Sequence, residues 1–140
     1  MIDRLTSERL VDQTGETYAA RRLGGLLLEK KLAEFPDLAR KAPRVVVYSG
    51  KAKLETKLDQ IGTVGYAVGF QRLVNFVMSQ MPQNEAIKNE LRTEIKLVPE
   101  IVIRELVANA MIHRDFSITG SSIVVDIYSN RIDVSNPGVP

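Results

Sequence analysis

The 140-residue sequence contains no cysteine and no tryptophan, and it has a single histidine, His113. Without cysteine, the chain has no disulfides, no zinc-thiolate site and no cysteine nucleophile. A single histidine likewise excludes a metal site built from several histidines of one chain. Aromatic residues make up only 6% of the sequence, which predicts a core of aliphatic side chains.

Long apolar runs are also missing. No stretch approaches the roughly 20 apolar residues that a membrane-spanning helix needs. The first residues, MIDRLTSERLVDQ, lack the apolar centre of a secretion signal. We therefore expect no membrane partner and a cytoplasmic location, which the absence of cysteine fits. The net charge of +2 is too small to indicate a nucleic-acid-binding domain by itself.

Basic residues are concentrated between positions 30 and 57, a segment that holds eight lysines and arginines. A solvated surface is the simpler interpretation of such a run of charges. Direct nucleic-acid binding is the alternative interpretation, and it predicts an affinity that falls steeply with salt.

The pattern of apolar residues predicts the regular elements. We predict helices within residues 1–16, over Tyr18–Leu32, over Tyr66–Met81 and from Pro99 to Ile112, and strands over Arg44–Ser49, 87–97, Ser122–Tyr128 and Arg131–Ser135. The last two strands are joined by a hairpin turn at Ser129 and Asn130. Helices alternating with strands indicate the α/β class and a two-layer α/β sandwich with one sheet. We expect a single domain, in which residues 1–62 form a lead-in and residues 63–140 carry the functional motif.

The helix that begins near Pro99 carries a polar stripe. Glu105, Asn109 and His113 are spaced at i, i+4 and i+8, so they project from one face. The opposite face is predicted to pack on the sheet through its apolar residues, which are Val102, Leu106 and Ala110 with their neighbours Ile103 and Val107. By spacing alone, the stripe is either a solvent-facing surface with one tertiary hydrogen bond or a binding site in a cleft.

Residues 105–140 read ELVANAMIHRDFSITGSSIVVDIYSNRIDVSNPGVP. This stretch resembles a segment of the RecG-related, Schlafen/AlbA-associated regulators, a family described as ATP-dependent DNA helicases. Its Glu-x-x-x-Asn-Ala pattern also resembles the N-box of the GHKL ATPases, which include gyrase-type topoisomerases, histidine kinases and MutL. The resemblance is strong from Pro99 onward and weaker upstream. It implies that the chain forms the front half of a GHKL-type, histidine-kinase-like ATP-binding fold.

The resemblance implies a role for each polar residue of the stripe. Asn109 would supply an amide oxygen to a Mg²⁺ ion that bridges the phosphates of ATP. Glu105 holds the position of the carboxylate that orients the attacking water in those members that hydrolyse ATP. His113 and Arg114 would lie near the phosphates, where arginine is suited to bidentate contact. Alternatively, Arg114 and Asp115 pair with each other or cap the end of the helix.

The turn after the last strand departs from the Asp-x-Gly-x-Gly pattern of the GHKL proteins. Asn136 takes the place of the aspartate that accepts the adenine amino group, and Gly138 takes the place of the first glycine. An amide oxygen can still accept from that amine, but an amide NH₂ can equally select another base. The second glycine box and the phosphate lid of the family would follow Pro140.

These observations lead to one hypothesis and two alternatives. The hypothesis is an ATP- and Mg²⁺-binding module of a DNA-associated regulator, in which the nucleotide acts as a conformational switch and other domains of the parent bind DNA. The first alternative is a degenerate GHKL scaffold used for homodimerisation or protein interaction. The second is direct nucleic-acid binding by the basic segment. Whether the larger protein that would contain this module hydrolyses ATP stays open. The sequence contains neither a P-loop nor a helicase motor motif.

Overall fold

The computed structural model describes residues 1–88 and 91–138, apart from the side chains of residues 18–20, 22, 83–88 and 91–95. In chain order the elements are α1 (Ile2–Ser7), β1 (Val11–Thr14), β2 (Thr17–Ala20), α2 (Arg22–Leu28), a short 3-10 turn (Leu32–Glu34), α3 (Pro36–Ala39), β3 (Arg44–Tyr48), β4 (Thr56–Ile61), α4 (Tyr66–Gln80), β5 (Gln83–Lys88), β6 (Leu91–Lys96), α5 (Glu100–Ile112), β7 (Val124–Ile127) and β8 (Ile132–Ser135).

Four strands form one mixed sheet in the order β4-β3-β7-β8. The two central strands, β3 and β7, run parallel with Val45 opposite Val125, whereas β4 and β8 pair antiparallel with them. A parallel pair requires a long crossover connection, and here the stretch between β3 and β7 contains α4 and α5. The lead-in of residues 1–62 therefore supplies two of the four strands, in the same sheet as the β7–β8 hairpin.

Helices α4 and α5 pack on one face of this sheet. Alternation along β3 and β7 directs every second side chain to that face. The shared core consists of the buried residues Val45, Val47, Val74, Val77, Met81, Ile103, Val107, Val125 and Ile127. Its members are aliphatic apart from Met81, as the composition predicts. The predicted two-layer α/β sandwich is confirmed.

The most regular apolar patterns predict their elements well. Helix α4 matches the predicted stripe and brings Val74 and Val77 into the core. It ends shortly before Pro82, since the residue that precedes a proline is disfavoured in helical conformation. The hairpin of β7 and β8 is also observed, with Val125 opposite Val134.

Helix α5 lies where the sequence predicts it, but a different face meets the core. Ile103 and Val107 are buried, whereas Val102 and Leu106, which we predicted against the sheet, are 41% and 40% exposed. Apolar residues occupy more than one side of this helix, so periodicity alone does not determine which side is buried. The prediction for these two residues is wrong.

The first 32 residues also differ from the prediction. Helix α1 ends at Ser7, and a β1–β2 hairpin follows, whose turn holds Gly15 at φ +63°. Because β2 takes up Thr17–Ala20, the helix predicted to start at Tyr18 is confined to α2. Gly24 permits α2 to approach the preceding chain, since a Cβ there would overlap the carbonyl oxygen of Leu10.

A single edge strand was predicted over residues 87–97. The structure has two strands in this region, β5 and β6, which form a separate antiparallel hairpin with Gln83 opposite Lys96. Residues 89 and 90, within the predicted strand, lie outside the described residues.

Membrane-spanning segments are not expected from the sequence. Over residues 1–88 and 91–138, no helix combines the length and the apolar character that a bilayer crossing requires. The longest of these helices, α4, has 15 residues, whereas a spanning helix needs roughly 20.

A second cluster of buried residues joins α2 and α3 to the end of α5. Its members are Leu26, Leu32, Leu38, Ala42, Tyr66, Ala110 and Ile123. The hydroxyl of Tyr66 donates to the carbonyl oxygen of Lys41 over 2.6 Å, and the Lys41 ammonium donates to the carbonyl oxygen of Phe116 over 2.5 Å. These two bonds hold the loop after α5 against the first part of the chain.

Candidate functional site

Glu105 and Asn109 lie one turn apart on the exposed side of α5. Asn109 Nδ2 donates to Glu105 Oε1 over 3.2 Å. The carboxylate thereby holds the amide nitrogen, and the amide oxygen of Asn109 is left to face away from it. The two larger cavities described below are lined by other residues. Both side chains are exposed at the surface of α5.

His113 is the C-cap of α5. Its backbone N–H donates to the carbonyl oxygen of Asn109 over 2.9 Å, and its side chain is exposed. The helix ends here because residue 113 leaves the helical conformation, with φ −90° and ψ 7°. The predicted row of Glu105, Asn109 and His113 therefore reaches the surface at all three positions.

Arg114 is placed differently from the expectation that it contacts a phosphate. It is only 3% exposed, and its Nη2 donates to the carbonyl oxygen of Ser121 over 2.8 Å. Its guanidinium carbon lies 6.0 Å from the ring centre of Phe116. Burial raises the pKa of the nearby Tyr66 hydroxyl above its usual value, and the positive charge of Arg114 offsets only part of this rise.

The alternative pairing of Arg114 with Asp115 is not formed among the described residues. Asp115 Oδ1 instead accepts from the backbone N–H of Ser117 over 2.8 Å and from its hydroxyl over 2.5 Å. These two hydrogen bonds hold the pKa of the Asp115 carboxyl below its usual value. Asp115 therefore shapes the loop after α5, which encloses Arg114.

The turn after β8 lies directly against the end of α5. The backbone N–H of Asp115 donates to the carbonyl oxygen of Pro137 over 2.8 Å. A Cβ on Gly138 would lie 2.5 Å from the carbonyl oxygen of His113, so this approach of two backbones requires glycine. Asn136 is half-buried at the start of the turn. The two candidate motifs, residues 105–115 and 136–138, thus meet at one place in the fold.

A buried polar cluster on the other face of the sheet was not predicted. Asp126 is buried, and its carboxylate accepts from Lys53 Nζ over 2.6 Å and from the Tyr48 hydroxyl over 3.2 Å. The rings of Tyr48 and Tyr128 stack with their centres 4.9 Å apart. The hydrogen bond to Asp126 raises the pKa of Lys53. Tyrosines at the ends of two predicted strands are the sequence signal for this cluster.

Two larger cavities were also not predicted. One, of about 620 Å³, is lined by Leu23, Leu26, Asp37, Leu38, Arg40, Lys41, Phe116, Ser117, Thr119 and Gly120. The other, of about 420 Å³, is an apolar groove between α2, α4 and α5 that is lined by Leu23, Leu27, Tyr66, Ala67, Phe70, Ala108, Met111, Ile112 and Phe116. Both depend on contacts between distant segments, which local patterns in the sequence do not report.

Several cations of the basic segment have partners within the chain. Arg44 forms a salt bridge with Asp59 on the neighbouring strand β4. Lys53 is bound to Asp126, and Lys41 to a backbone carbonyl. The charges of Arg44 and Lys53 are therefore compensated by carboxylates of the same chain.

Comparison with known proteins shows the fold and no family. No protein-family model and no curated protein matches the chain. The crystal structure of the DIP2311 protein from Corynebacterium diphtheriae is similar to it, with a TM-score of 0.68 and 20% sequence identity. The match covers 96% of this chain and 26% of that one, so the present chain spans about a quarter of the other protein. At this level of identity, the likeness is one of fold alone.

Proposed function

We propose that the chain is a Mg²⁺- and nucleoside-triphosphate-binding module of GHKL type within a larger cytoplasmic, DNA-associated regulator. The observation that carries the proposal is the contact between the end of α5 and the turn of residues 136–138. Glu105 and Asn109 lie on α5, and the candidate base-binding residue Asn136 lies in the turn. The contact therefore joins the two segments that carry the candidate site residues. ATP is the nucleotide that the resemblance implies.

The chemistry of Asn109 fits a Mg²⁺ ion that is shared with phosphates. Within the described residues, no group of three or more histidine, aspartate or glutamate side chains could hold a metal ion. Mg²⁺ needs few protein ligands when phosphate oxygens and waters complete its shell. Because Glu105 engages the amide nitrogen of Asn109, the amide oxygen is available as such a ligand.

Glu105 has two roles in this proposal. Through the hydrogen bond from Asn109 Nδ2 it fixes the orientation of the neighbouring amide. Its exposed carboxylate can also accept a proton from a water molecule near the phosphates, which is the general-base role in hydrolysis. His113 is also exposed and can donate to a phosphate oxygen, whereas Arg114 is buried and has no such role in this proposal.

Binding of the nucleotide would act as a switch through the turn of residues 136–138. A ligand that contacts both α5 and this turn stabilises one relative placement of the two elements, and a ligand shifts an equilibrium only by its difference in affinity for two states. In the larger protein, this change in the placement of α5 and the turn would be transmitted to domains that bind DNA.

A second function is favoured by the exposed apolar residues of α5. Ile101 and Ile112 are 70% and 72% exposed. Exposed apolar surface is typical of contacts with another protein. A scaffold used for dimerisation or protein interaction would need these residues and would not need Glu105 or Asn109.

The direct test is calorimetric titration of the full-length protein with ATP, with and without Mg²⁺. We expect saturable binding that requires Mg²⁺ and that the Asn109→Ala variant loses. The control is Asn75→Ala, an exposed asparagine on α4, which should bind as the wild type does. Absence of binding by ATP and by other nucleoside triphosphates would overturn the proposal in favour of the scaffold.

A further inference from the structure

The cavity of about 620 Å³ lies between α2, α3 and the loop after α5. Its walls come from segments that are distant in the sequence, within residues 23–26, 37–41 and 116–120. Protein interiors hold few voids larger than a water molecule, whereas sites for small organic ligands occupy about 300–1,000 Å³. This cavity therefore has the size of a ligand site.

Two hydrogen bonds keep the walls of the cavity in place. Lys41 Nζ donates to the carbonyl oxygen of Phe116, and the Tyr66 hydroxyl donates to the carbonyl oxygen of Lys41. The first of these bonds joins one wall directly to another, because Lys41 and Phe116 both line the cavity. A ligand would therefore meet walls that are already held together, which reduces the ordering cost of binding.

One part of the lining is apolar. Leu26 and Leu38 are buried members of the second core cluster, and Phe116 packs against that cluster. All three side chains line the cavity. Walls of this kind suit the hydrocarbon body of a ligand, because removing apolar surface from water favours the bound state.

The charged part of the lining has an excess of cations. Its basic residues are Arg40 and Lys41 and its acidic residue is Asp37, so two positive charges and one negative charge leave a formal charge of +1. Within the part of the chain that the structure describes, neither Arg40 nor Lys41 forms a salt bridge. The half-buried Lys41 donates to a neutral carbonyl oxygen, which does not compensate its charge.

The neighbouring carboxyl of Asp115 does not fill this role. Its pKa is lowered chiefly by the Ser117 hydroxyl, and the charge of Lys41 is the smallest cause. Asp115 also does not line the cavity. A ligand with one negative charge would therefore balance the lining better than any described side chain does.

We propose that this cavity binds a small organic monocarboxylate with an aromatic or aliphatic body. The acid group lies at Arg40 and Lys41, because charge-assisted hydrogen bonds from such cations to a carboxylate are about twice as strong as neutral ones. The body of the ligand lies against Leu38 and Phe116. Mostly apolar walls with a few polar groups that fix the orientation are typical of small-molecule sites.

The cavity is separate from the proposed nucleotide site. Glu105 and Asn109 do not line it. A triphosphate carries several negative charges, which a lining with a formal charge of +1 that includes Asp37 does not balance. The inference therefore goes beyond the proposed function and does not depend on it.

The test uses 4-phenylbutanoate as the probe and the neutral 4-phenylbutanamide, which has nearly the same shape, as its control. Each is titrated into the full-length protein, which carries ¹³C at the leucine methyl groups. We expect the carboxylate to shift the methyl signals of Leu26 and Leu38 and to bind at least about tenfold more tightly than the amide. Equal affinities would overturn the recognition of an acid group. Absence of saturable shifts at the two leucines would overturn the site.

Two arginine variants separate this role from a structural one. Arg40→Gln removes an exposed cation of the lining, so it should weaken the carboxylate by about tenfold and leave the affinity for the amide unchanged. Arg72→Gln is the matched control, because Arg72 is an exposed arginine of α4 that does not line this cavity. Equal weakening by the two variants would mean an effect of net charge, and the proposed site would be wrong. ATP with Mg²⁺ should not displace the carboxylate, and displacement would overturn the separate site.

Discussion

The backbone N–H of Asp115 lies 2.8 Å from the carbonyl oxygen of Pro137 and donates to it. This bond links Asp115, two residues after the α5 cap, to the turn after β8. The two segments carry the separate motifs of the sequence. Any property that depends on both motifs, including the proposed nucleotide binding, depends on this junction. Gly138 lies at its tightest point.

The Gly138→Ala variant tests the junction. Its Cβ would lie 2.5 Å from the His113 carbonyl oxygen, and backbone must shift to relieve the clash. We expect the free energy of unfolding to fall by about 1–3 kcal/mol, measured by urea denaturation. Gly50→Ala is the matched control, because a Cβ at Gly50 meets nothing within 4 Å, and its effect should stay within about 0.5 kcal/mol. Equal effects of the two variants would contradict the close approach.

Two isoleucines of α5 test which face of the helix is buried. Ile103 is 1% exposed in the core and Ile101 is 70% exposed. Ile103→Ala should lower the free energy of unfolding by about 2–5 kcal/mol, because it leaves a cavity. Ile101→Ala, which removes the same atoms from the surface, should change it by no more than about 0.5 kcal/mol. The reverse order in chemical denaturation would mean that α5 is rotated about its axis.

Sequence patterns predict the elements in which local and tertiary preferences agree. The β-branched run Arg44–Tyr48, the stripe of α4 and the alternation of β7 each present one apolar face to one core. The i, i+4 spacing likewise predicts that Glu105 and Asn109 share a face, as their hydrogen bond requires.

Where the element depends on partners far away in the sequence, the patterns fail. Strand β4 was not predicted because its only half-buried residue is Leu58 and the other five are exposed, and its place at the edge comes from backbone pairing with β3. The burial of Arg114 depends on the loop that reaches Ser121 and on Tyr66, whose positions no local pattern encodes.

The hydrogen bonds from Ser117 to Asp115 predict a contribution to the free energy of unfolding that depends on pH. Because the folded-state pKa of Asp115 is lowered, chiefly by the Ser117 hydroxyl, the contribution is present above the unfolded-state pKa and is lost as the pH falls through the folded-state value. In Ser117→Ala, an NMR titration should show a higher pKa for the Asp115 carboxyl. The stability difference between the two proteins should also shrink between about pH 5 and pH 2. An unchanged pKa in the variant would show that the hydroxyl contributes nothing.

Glu105 can be tested for its two proposed roles separately, because glutamine keeps one of them. In Glu105→Gln, the side-chain carbonyl oxygen can still accept from Asn109 Nδ2, whereas the group can no longer accept a proton as a carboxylate does. If the full-length protein hydrolyses the nucleotide, this variant should bind it with Mg²⁺ about as well as the wild type. Its single-turnover hydrolysis should fall by about a hundredfold or more, since general-base catalysis acts only in the transition state.

Glu105→Ala removes both roles, so it should lose hydrolysis to the same extent and also weaken binding, because the Asn109 amide is no longer held. Both side chains are exposed, so neither variant should lower the melting temperature, and a loss of function with unchanged melting separates chemistry from folding. If Gln and Ala weakened Mg²⁺-dependent binding equally, the negative charge of Glu105 rather than its hydrogen bond would be what the site needs. If both variants bound and turned over like the wild type, Glu105 would have no part in a nucleotide site, and the exposed apolar surface of α5 would become the better basis for assigning a function.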